Sequence, residues 1–340
     1  MSLYIDKYNP KSFDEILFNK DAVEKLKNIS QFNNISHILI TGCVGSGRNT
    51  LANLYLDYKY KKKIIKHTNI VEIKIKNSKK KEIRVIYSNY HIQLNPSKYG
   101  VHDRAIIKEY VNDIIKKHTI AGNYITVIIE DADKLTIDAQ ESLRRTLEKY
   151  FETCRFIFLA DKSYKMIDPL ISRFLELKIN LPTHDVIKHI ISNINNIEST
   201  ENKINFYKAN DDQIESIVNL CDLNIKKAKN MLNLFNLTNE IVCDEKQKIN
   251  NIIDIMTNNF NIRNILDIRS IIYDMLVHCI DPQDIIHMLF DELNKRISIG
   301  NEQYKVLIEN FKNCSDGLLQ CNKPLYYIEE FIINILLITF

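Results

Sequence analysis

The 340-residue sequence lacks any pair of cysteines at the spacing of a zinc site, and it contains no C-x-x-C motif. Its seven cysteines are scattered, at positions 43, 154, 221, 243, 279, 314 and 321. An odd and widely scattered set is typical of free thiols in a reducing compartment. His184 and His189 are five residues apart, so a helix would place them on different sides. We expect both at the surface and no protein-built metal centre.

The sequence also lacks a targeting pattern at its start and a long hydrophobic run. The first residues, MSLYIDKYNPKSFDEI, do not follow the basic-then-apolar pattern of a signal peptide. The apolar segment FIINILLITF at the end is far shorter than the ~20 residues that span a bilayer. We expect this segment to form a buried terminal helix and the chain to have no membrane partner.

The composition has no strong bias towards one class of partner. Hydrophobic residues make up 45% and charged residues 26% of the chain, as in ordinary globular proteins. The net charge of +3 permits a basic surface for DNA but does not require one. The length predicts two or three domains.

The first part of the chain alternates strand-like and helix-like segments. HILIT (37–41) is a short apolar run that leads into a glycine-rich turn, and RNTLANLYLDYKYKKK after it has the pattern of a helix. NIVEIKIKNSKKKEIRVIY (69–87) alternates apolar and polar residues around a polar centre, which predicts a hairpin. YITVIIED (124–131) and RFIFLAD (155–161) predict two more buried strands. Strands that alternate with helices favour an α/β domain with a parallel sheet.

Strand signals end near residue 181, after which the periodicity is helical throughout. We predict an α/β domain at 1–181, a small helical domain at 182–237, a polar linker at 238–248 and an all-α domain at 249–340. Pro324 is expected to begin the last helix.

The segment TGCVGSGRNT is similar to a phosphate-binding loop, G-x-x-x-x-G-K-[ST]. Gly42 and Gly47 have the required spacing, but Arg48 stands in place of Lys and Asn49 in place of the hydroxyl residue. Backbone N–H groups of such a turn attract phosphate whatever the side chains are. Thr50 has a hydroxyl, but a neighbouring helical residue points ~100° away. We expect nucleotide binding with poor positioning of Mg²⁺. The alternative is a glycine turn with no ligand. The predicted binding residues of the loop are Gly42, Cys43, Val44, Gly45, Ser46, Gly47, Arg48, Asn49 and Thr50.

The next strand, VIIEDAD, ends in Glu130 and Asp131, whereas a hydrolytic site has Asp followed by Glu. Asp131 is one methylene shorter than a catalytic Glu, and a misplacement near 1 Å can cost ~10²-fold in rate. If Asp131 is instead the metal ligand, Ala132 stands at the position of the base. In either assignment, the base that would orient the attacking water is too short or is absent. The alternative is that both acids cap the following helix.

With these segments in place, the sequence resembles the small subunits of replication factor C, the eukaryotic sliding-clamp loader of the AAA+ class. The resemblance runs nearly from end to end. In the opening segment LYIDKYNP, which in the family packs near the adenine, Tyr8 and Pro10 match the family and Asn9 replaces its usual Arg. The other matching segments are SHILITG, SNYHIQLNPSKYGVHDR, DADKLTIDAQESLRRTLEKY, TCRFIFLAD, MIDPLISRF, YDMLVHCIDPQDII and LYYIEEF. The resemblance implies an AAA+ P-loop domain, a helical lid and a helical collar for oligomerisation.

The chain is most similar to the terminal small-subunit type, whose own ATP site is incomplete. This likeness rests on three features: NPS in place of NAS, TCR before the third strand, and the displaced Thr of the loop. In those relatives the loop ends Gly-Lys-Lys-Thr. This sequence has the same spacing of Gly47 and Thr50, with Arg48 and Asn49 in place of the two lysines.

The resemblance also implies roles for residues beyond the loop. Asp161 stands at the first sensor position, usually Asn, where a carboxylate would repel a γ-phosphate. Lys226 stands at the second sensor position, usually Arg, and keeps the charge without the planar fork. Ser172 and Arg173 match the SRC motif, with Phe174 replacing Cys. Arg173 would act in trans on the neighbour's γ-phosphate; the alternative is an ordinary surface arginine or a helix cap.

The family partners would be the other replication factor C subunits in a hetero-pentamer, a PCNA-type clamp and primer–template DNA. Arg104 and Lys108 are our candidates for DNA phosphate contacts, with surface charge as the alternative. The cofactor would be ATP or ADP, with Mg²⁺ weakly supported. The location would be the nucleus of a eukaryote or the cytoplasmic factory of a large DNA virus. Two alternatives remain: an active stand-alone P-loop ATPase acting on DNA, and a scaffold subunit that no longer binds nucleotide.

Overall fold

The computed structural model describes residues 3–31, 36–75, 79–118, 125–201, 207–240, 244–257, 262–278, 280–296, 301–320 and 323–339. The chain divides into two units, Met1–Ile241 and Val242–Phe340. The predicted boundary between the α/β and small helical domains, at residue 181, falls inside the first unit and stays a prediction.

A seven-stranded sheet forms the centre of the first unit, in the order β2-β3-β4-β5-β6-β1-β7. The strands are β1 His37–Thr41, β2 His67–Ile75, β3 Lys79–Tyr87, β4 His91–Leu94, β5 Ile125–Ile129, β6 Cys154–Ala160 and β7 Phe174–Lys178. The parallel pairs are β4 with β5, β5 with β6, β6 with β1 and β1 with β7. β2 and β3 form the predicted antiparallel hairpin, and β3 pairs with β4 in the same way. The predicted parallel α/β sheet is therefore confirmed.

Helices cover both faces of this sheet and continue after it. They are α1 Tyr4–Lys7, α2 Lys20–Gln31, α3 Arg48–Lys59, α4 Asp103–Ile106, α5 Asn112–His118, α6 Ile137–Lys149, α7 Asp168–Ile171, α8 His184–Glu201, α9 Asp211–Leu220 and α10 Ile225–Thr238. A π-helical turn, Ile107–Val111, joins α4 to α5. His184 and His189 are exposed on α8, as expected.

The central strands are apolar on both sides because each side is covered by helices. Every residue of β1, β5 and β6 is buried. Leu39 belongs to one core cluster with residues of α4–α6, whereas Ile38 and Ile40 belong to the opposite cluster with residues of α2 and α3. Such continuous apolar runs are typical of parallel strands buried on both faces. The carboxyl ends of β1, β5 and β6 therefore meet at one edge of the sheet.

The second unit is helical over its described residues. Its helices are α11 Asp244–Thr257, α12 Ile262–Val277, α13 Pro282–Arg296, α14 Asn301–Gln320 and α15 Pro324–Thr339, and they share one hydrophobic core. Pro324 begins α15, as predicted. The predicted linker 238–248 is too long, because α11 already begins at Asp244.

Across the described residues, none of the helices is both long and apolar enough to cross a membrane. Four cysteines in the described part of the chain are free thiols, Cys43, Cys154, Cys221 and Cys314. The other three, at positions 243, 279 and 321, lie outside the described residues.

Candidate nucleotide-binding site

The glycine-rich segment forms a tight loop between β1 and α3. Gly45 and Gly47 have φ values of +89° and +92°, a conformation that glycine adopts without steric cost. The backbone N–H and the hydroxyl of Ser46 both donate to the carbonyl of Cys43, at 3.2 and 2.7 Å. The loop leads directly into the first residue of α3, Arg48. Backbone N–H groups at such a helix N-terminus attract anions.

Two glycines of the loop are closely approached by the rest of the fold. A Cβ atom on Gly42 would lie 2.5 Å from Cγ1 of Ile179. A Cβ atom on Gly45 would overlap Oδ1 of Asn224. Asn224 also caps α10, where its Oδ1 accepts the N–H groups of Lys226 and Lys227 at 3.0 and 3.3 Å. Sequence reasoning missed this contact between the loop and the helical segment.

Arg48 forms an ion pair with Asp161, the residue that follows β6. The two side chains are only 13% and 17% exposed. The Nζ atom of Lys134 lies 4.0 Å from the other carboxylate oxygen. Nη1 of Arg48 is buried and has no hydrogen-bond partner among the described residues. The opposite charges of Arg48 and Asp161 therefore neutralise each other.

The two acids after β5 accept hydrogen bonds from side-chain amides. Glu130 accepts from Nε2 of Gln93 and, at 3.4 Å, from Nδ2 of Asn49. Asp131 accepts from Nδ2 of Asn95 at 2.6 Å.

The alternative that these acids cap the next helix is wrong. Asp131 makes no capping bond with its side chain, whereas the hydroxyl of Thr136 accepts the N–H of Ala139 at the start of α6.

The oxygens at this edge fit a Mg²⁺ ion poorly. Glu130 already accepts amide protons, and Oδ1 of Asn49 accepts from Gln93 and Asn53 at 3.2 and 3.3 Å. The hydroxyl of Thr50 donates to Asn9 at 3.3 Å, and so faces the N-terminal segment rather than the acids. No group of three or more His, Cys, Asp or Glu residues suited to a metal occurs within the described ranges.

A cavity of about 660 Å³ lies beside the loop, bounded by the N-terminal segment, α8 and α10. The predicted site residues that line it are Tyr8, Pro10, Gly45, Ser46, Gly47, Asn49, Thr50 and Lys226. The structure brings these residues together, as a nucleotide site requires. The predicted residues that do not line the cavity are Gly42, Cys43, Val44, Arg48, Glu130, Asp131 and Asp161.

Tyr8 is held in this cavity by two residues that sequence reasoning missed. Its hydroxyl donates to Glu198 at 2.8 Å, and Lys7 donates to the same carboxylate oxygen at 2.9 Å. Glu198 is buried, and Nζ of Lys229 donates to the carbonyl of Tyr8 at 2.9 Å. Burial, with the bond to Glu198, raises the pKa of Tyr8 to about 12. Lys229 lies one helical turn after Lys226, but nothing local in the sequence indicates Glu198.

Arg173 does not line this cavity. Its side chain is exposed just after α7, where the guanidinium contacts the carbonyl of Pro169 and the carboxylate of Glu148. Nε of Arg144 lies 4.0 Å from the same carboxylate oxygen.

The two candidate DNA contacts are both exposed. Arg104 forms an ion pair of 2.9 Å with Asp138, which is itself exposed. Lys108 follows one turn later on the π-helical turn.

Comparison with known proteins supports one family. A family profile described as "Replication factor C subunit 3, C-terminal domain" matches residues 234–339, and one described as "DNA polymerase III, delta subunit" matches residues 18–183. Replication factor C subunit 5 of Schizosaccharomyces pombe is 30% identical over 97% of this chain and 94% of its own length. Replication factor C subunit 3 of Homo sapiens is 29% identical over 98% and 94%. A protein of Acanthamoeba polyphaga mimivirus, named as a replication factor C small subunit, is 33% identical over 86% and 80%.

Among solved structures, the Thermotoga maritima RuvB Holliday junction branch migration motor matches with a TM-score of 0.46 and 15% identity. That match covers 84% of this chain and 80% of the RuvB chain.

Proposed function

The chain belongs to the replication factor C small-subunit family of clamp loaders, and on that premise we propose a specific division of labour for it. It binds ATP or ADP in its own cavity with little or no turnover. It supplies Arg173 to the ATP site of a neighbouring subunit in a hetero-pentamer. It thereby helps to load a PCNA-type clamp onto primer–template DNA.

The position of Arg173 is the observation that carries the proposal. The guanidinium is exposed and lies outside the chain's own cavity. An arginine in that position serves a phosphate best when the phosphate belongs to another chain. In GTPases, an arginine that a second protein supplies in trans raises kcat by ~10³–10⁵-fold.

The chain's own site supports binding more than hydrolysis. The loop keeps its left-handed glycines and its helix N-terminus, which are the parts that hold phosphate. Glu130 and Asp131 are occupied by the amides of Gln93, Asn49 and Asn95. Both acids are therefore already hydrogen-bonded within the protein, Glu130 by two amide groups and Asp131 by one.

The second unit supports assembly with other subunits. α12 exposes Leu266, Tyr273 and Val277, and α15 exposes Tyr326, Ile333 and Leu337. Both sets have the spacing i, i+7, i+11, which places each on one side of its helix. Exposed apolar faces of this kind are typical of interaction surfaces. The corresponding helices of the other subunits would pack against these two apolar faces.

The basic residues of α4 and its π-helical continuation support a contact with DNA phosphates. Arg104 is paired with an exposed Asp138. Exposed ion pairs are worth only ~0–1 kcal/mol, so a phosphate can replace the carboxylate at little cost. The partner DNA is read without sequence preference, since phosphate contacts carry none. In a cellular eukaryote the proposed role places the chain in the nucleus, and in a large DNA virus it places the chain in the cytoplasmic factory.

Reconstitution of the hetero-pentamer with Arg173→Ala tests the proposal. We expect ATP hydrolysis at the neighbouring site, measured with clamp and primed DNA present, to fall by at least 10²-fold. Lys165→Ala, which removes an exposed cation nearby in sequence, should leave the rate unchanged. An unchanged rate in the Arg173 variant contradicts the trans role. Mg²⁺-dependent turnover by the chain alone would instead support the stand-alone ATPase.

A further inference from the structure

We propose that Glu148 positions Arg173 for its role in trans, by holding the guanidinium at the end of α6. This inference rests on the proposed function of Arg173 and extends it to a second residue. Glu148 acts on the neighbour's reaction only through Arg173, and it is therefore a positioning residue rather than a catalytic one.

Two acceptors on separate helices hold the Arg173 guanidinium. Nη1 contacts the carbonyl of Pro169, in the first turn of α7, and Nη2 contacts Oε1 of Glu148, in the last turn of α6. A guanidinium is planar, and its N–H groups form a rigid fork. Contacts through two different nitrogens therefore fix the plane of the fork as well as its place. The remaining N–H groups are those that a neighbour's phosphate would meet.

The two helices that carry these acceptors pack together through other contacts. Oε1 of Gln140, on α6, accepts the N–H of Ile167, just before α7, at 2.8 Å. Gln140 is 1% exposed. Leu143 of α6 and Leu170 of α7 are buried in the same hydrophobic core cluster. The two acceptors are therefore held at their positions by the fold, and not by the arginine between them.

Glu148 also binds a second arginine. Nε of Arg144, one turn earlier on α6, lies 4.0 Å from the same carboxylate oxygen that contacts Arg173. One carboxylate oxygen is thus shared by two cations. If the carboxylate loses its charge, two guanidinium groups of the same sign remain close together and repel each other. Nε of Arg144 is buried whereas Arg173 is exposed, so the repulsion displaces Arg173.

The effect of Glu148 is expected on rate rather than on stability. Both members of the Glu148–Arg173 pair are exposed, and exposed ion pairs contribute little to folding. In contrast, a misplacement near 1 Å in a group that acts on the transition state can cost ~10²-fold in rate. Loss of Glu148 should therefore slow the neighbour's reaction while this chain stays folded.

Reconstituted hetero-pentamers that carry Glu148→Ala test the inference. With clamp and primed DNA present, we expect kcat for ATP hydrolysis at the neighbouring site to fall at least 10-fold, and KM for ATP to change less than 3-fold. Glu141→Ala is the matched control, because it removes an exposed carboxylate two turns earlier on α6. It should leave both constants unchanged.

A charge-rescue experiment separates positioning from a merely structural role. Glu148→Gln keeps the size of the side chain and removes its charge, so it should also lower kcat. Adding Arg144→Gln removes the repulsion and should restore kcat at least 3-fold. In an Arg173→Ala background, Glu148→Ala should cause no further loss, because the group that it positions is gone.

An unchanged kcat in Glu148→Ala, no recovery with Arg144→Gln, or a further loss in the Arg173→Ala background would overturn the inference. Thermal unfolding of the Glu148→Ala chain should occur within ~4 °C of the wild type, and a larger decrease would also overturn it, because the lost rate would then follow from a lost fold. If Arg173→Ala alone leaves the neighbour's hydrolysis unchanged, the proposed function of Arg173 fails as well. If only the Glu148 variants are without effect, that proposed function stands.

Discussion

Oδ1 of Asn224 occupies the space into which a side chain on Gly45 would project. One atom thereby links the first turn of α10, which it caps, to the loop between β1 and α3. Any displacement of α10 changes the space beside the loop, and any side chain at position 45 must displace the Asn224 amide that caps α10. The helical segment and the loop are thus coupled sterically, without a bound ligand.

Gly45→Ala should weaken nucleotide binding at least 10-fold and destabilise the first unit. Gly45 combines a φ of +89° with the overlap against Asn224, so alanine meets both backbone strain and a clash. Gly100→Ala is the matched control, because Gly100 has a φ of +56° with nothing within 4 Å of an added Cβ. Its cost should be backbone strain alone, ~1–3 kcal/mol, because a φ of +56° with a ψ of −129° is sparsely populated by residues other than glycine. Denaturant unfolding and nucleotide titration of both variants measure the difference; equal losses in both would contradict the steric coupling.

Asn224→Ala should cost about 1 kcal/mol, because α10 loses a cap that accepts two N–H groups. The same change removes the atom against which alanine at position 45 would clash. The double variant, Asn224→Ala with Gly45→Ala, should therefore lose less stability than the sum of the two single losses. A double-mutant cycle measures this coupling, and strict additivity would show that the two sites do not interact.

Gly317→Ala should destabilise the second unit. Alanine usually favours a helix over glycine by ~1 kcal/mol. At position 317, however, an added Cβ would overlap the ring of Tyr327 on α15. Forcing such a contact typically costs ~1–3 kcal/mol, so the clash outweighs the helical preference. Asp316→Ala, at the exposed neighbouring position of α14, should be neutral or stabilising. Unfolding of both variants followed by circular dichroism tests the prediction, which fails if Gly317→Ala is the more stable of the two.

The first unit should lose stability as the pH falls from 7.5 to 5. Burial, with the nearby charge of Arg155, lowers the pKa of His37 to about 4, and burial, with the charge of Lys66, lowers the pKa of His91 to about 4. Unfolded histidine has a pKa of about 6.5, so between pH 6.5 and 5 the unfolded chain binds protons that the folded chain does not. Each histidine should lower the free energy of unfolding by about 2 kcal/mol over that range.

His37 lies among the rings of Phe151, Phe156 and Phe174, and its Nδ1 accepts the N–H of Phe156 at 3.1 Å. His37→Phe should therefore remove about half of the acid-induced decrease in the free energy of unfolding that the two histidines cause. His184→Gln, at an exposed position, should retain the full loss. Chemical denaturation at several pH values measures how the free energy of unfolding changes with pH. If His37→Phe leaves this pH dependence unchanged, His37 is not one of its causes.

The fold and the family were predictable because they depend on local patterns. Apolar runs predict β1, β5 and β6, and the alternation around NSKKK predicts the β2–β3 hairpin; all four segments are strands or a hairpin in the structure. β4 and β7 were missed because polar residues interrupt the apolar run of each strand. Buried His91 and Gln93 interrupt the apolar run of β4.

The missed parts of the site depend on contacts between residues far apart in the sequence. The substitutions at positions 48 and 161 were each recognised, but their mutual neutralisation follows only from the pairing of β1 with β6. Glu198 and Asn224 were missed for the same reason, since only the fold brings them to Tyr8 and Gly45. The domain boundaries and the roles of the site residues remain predictions.

Among the strands that the structure describes, β2 and β7 lie at the two ends of the sheet, and each therefore presents one side of its backbone without a neighbouring strand. Such exposed borders favour strand-by-strand aggregation between molecules with similar sheets. Glu176 and Lys178 on β7, and Glu72 on β2, put charges along both borders. The charges disfavour non-specific pairing of the sheets of two molecules, so specific side-chain surfaces determine which molecules associate.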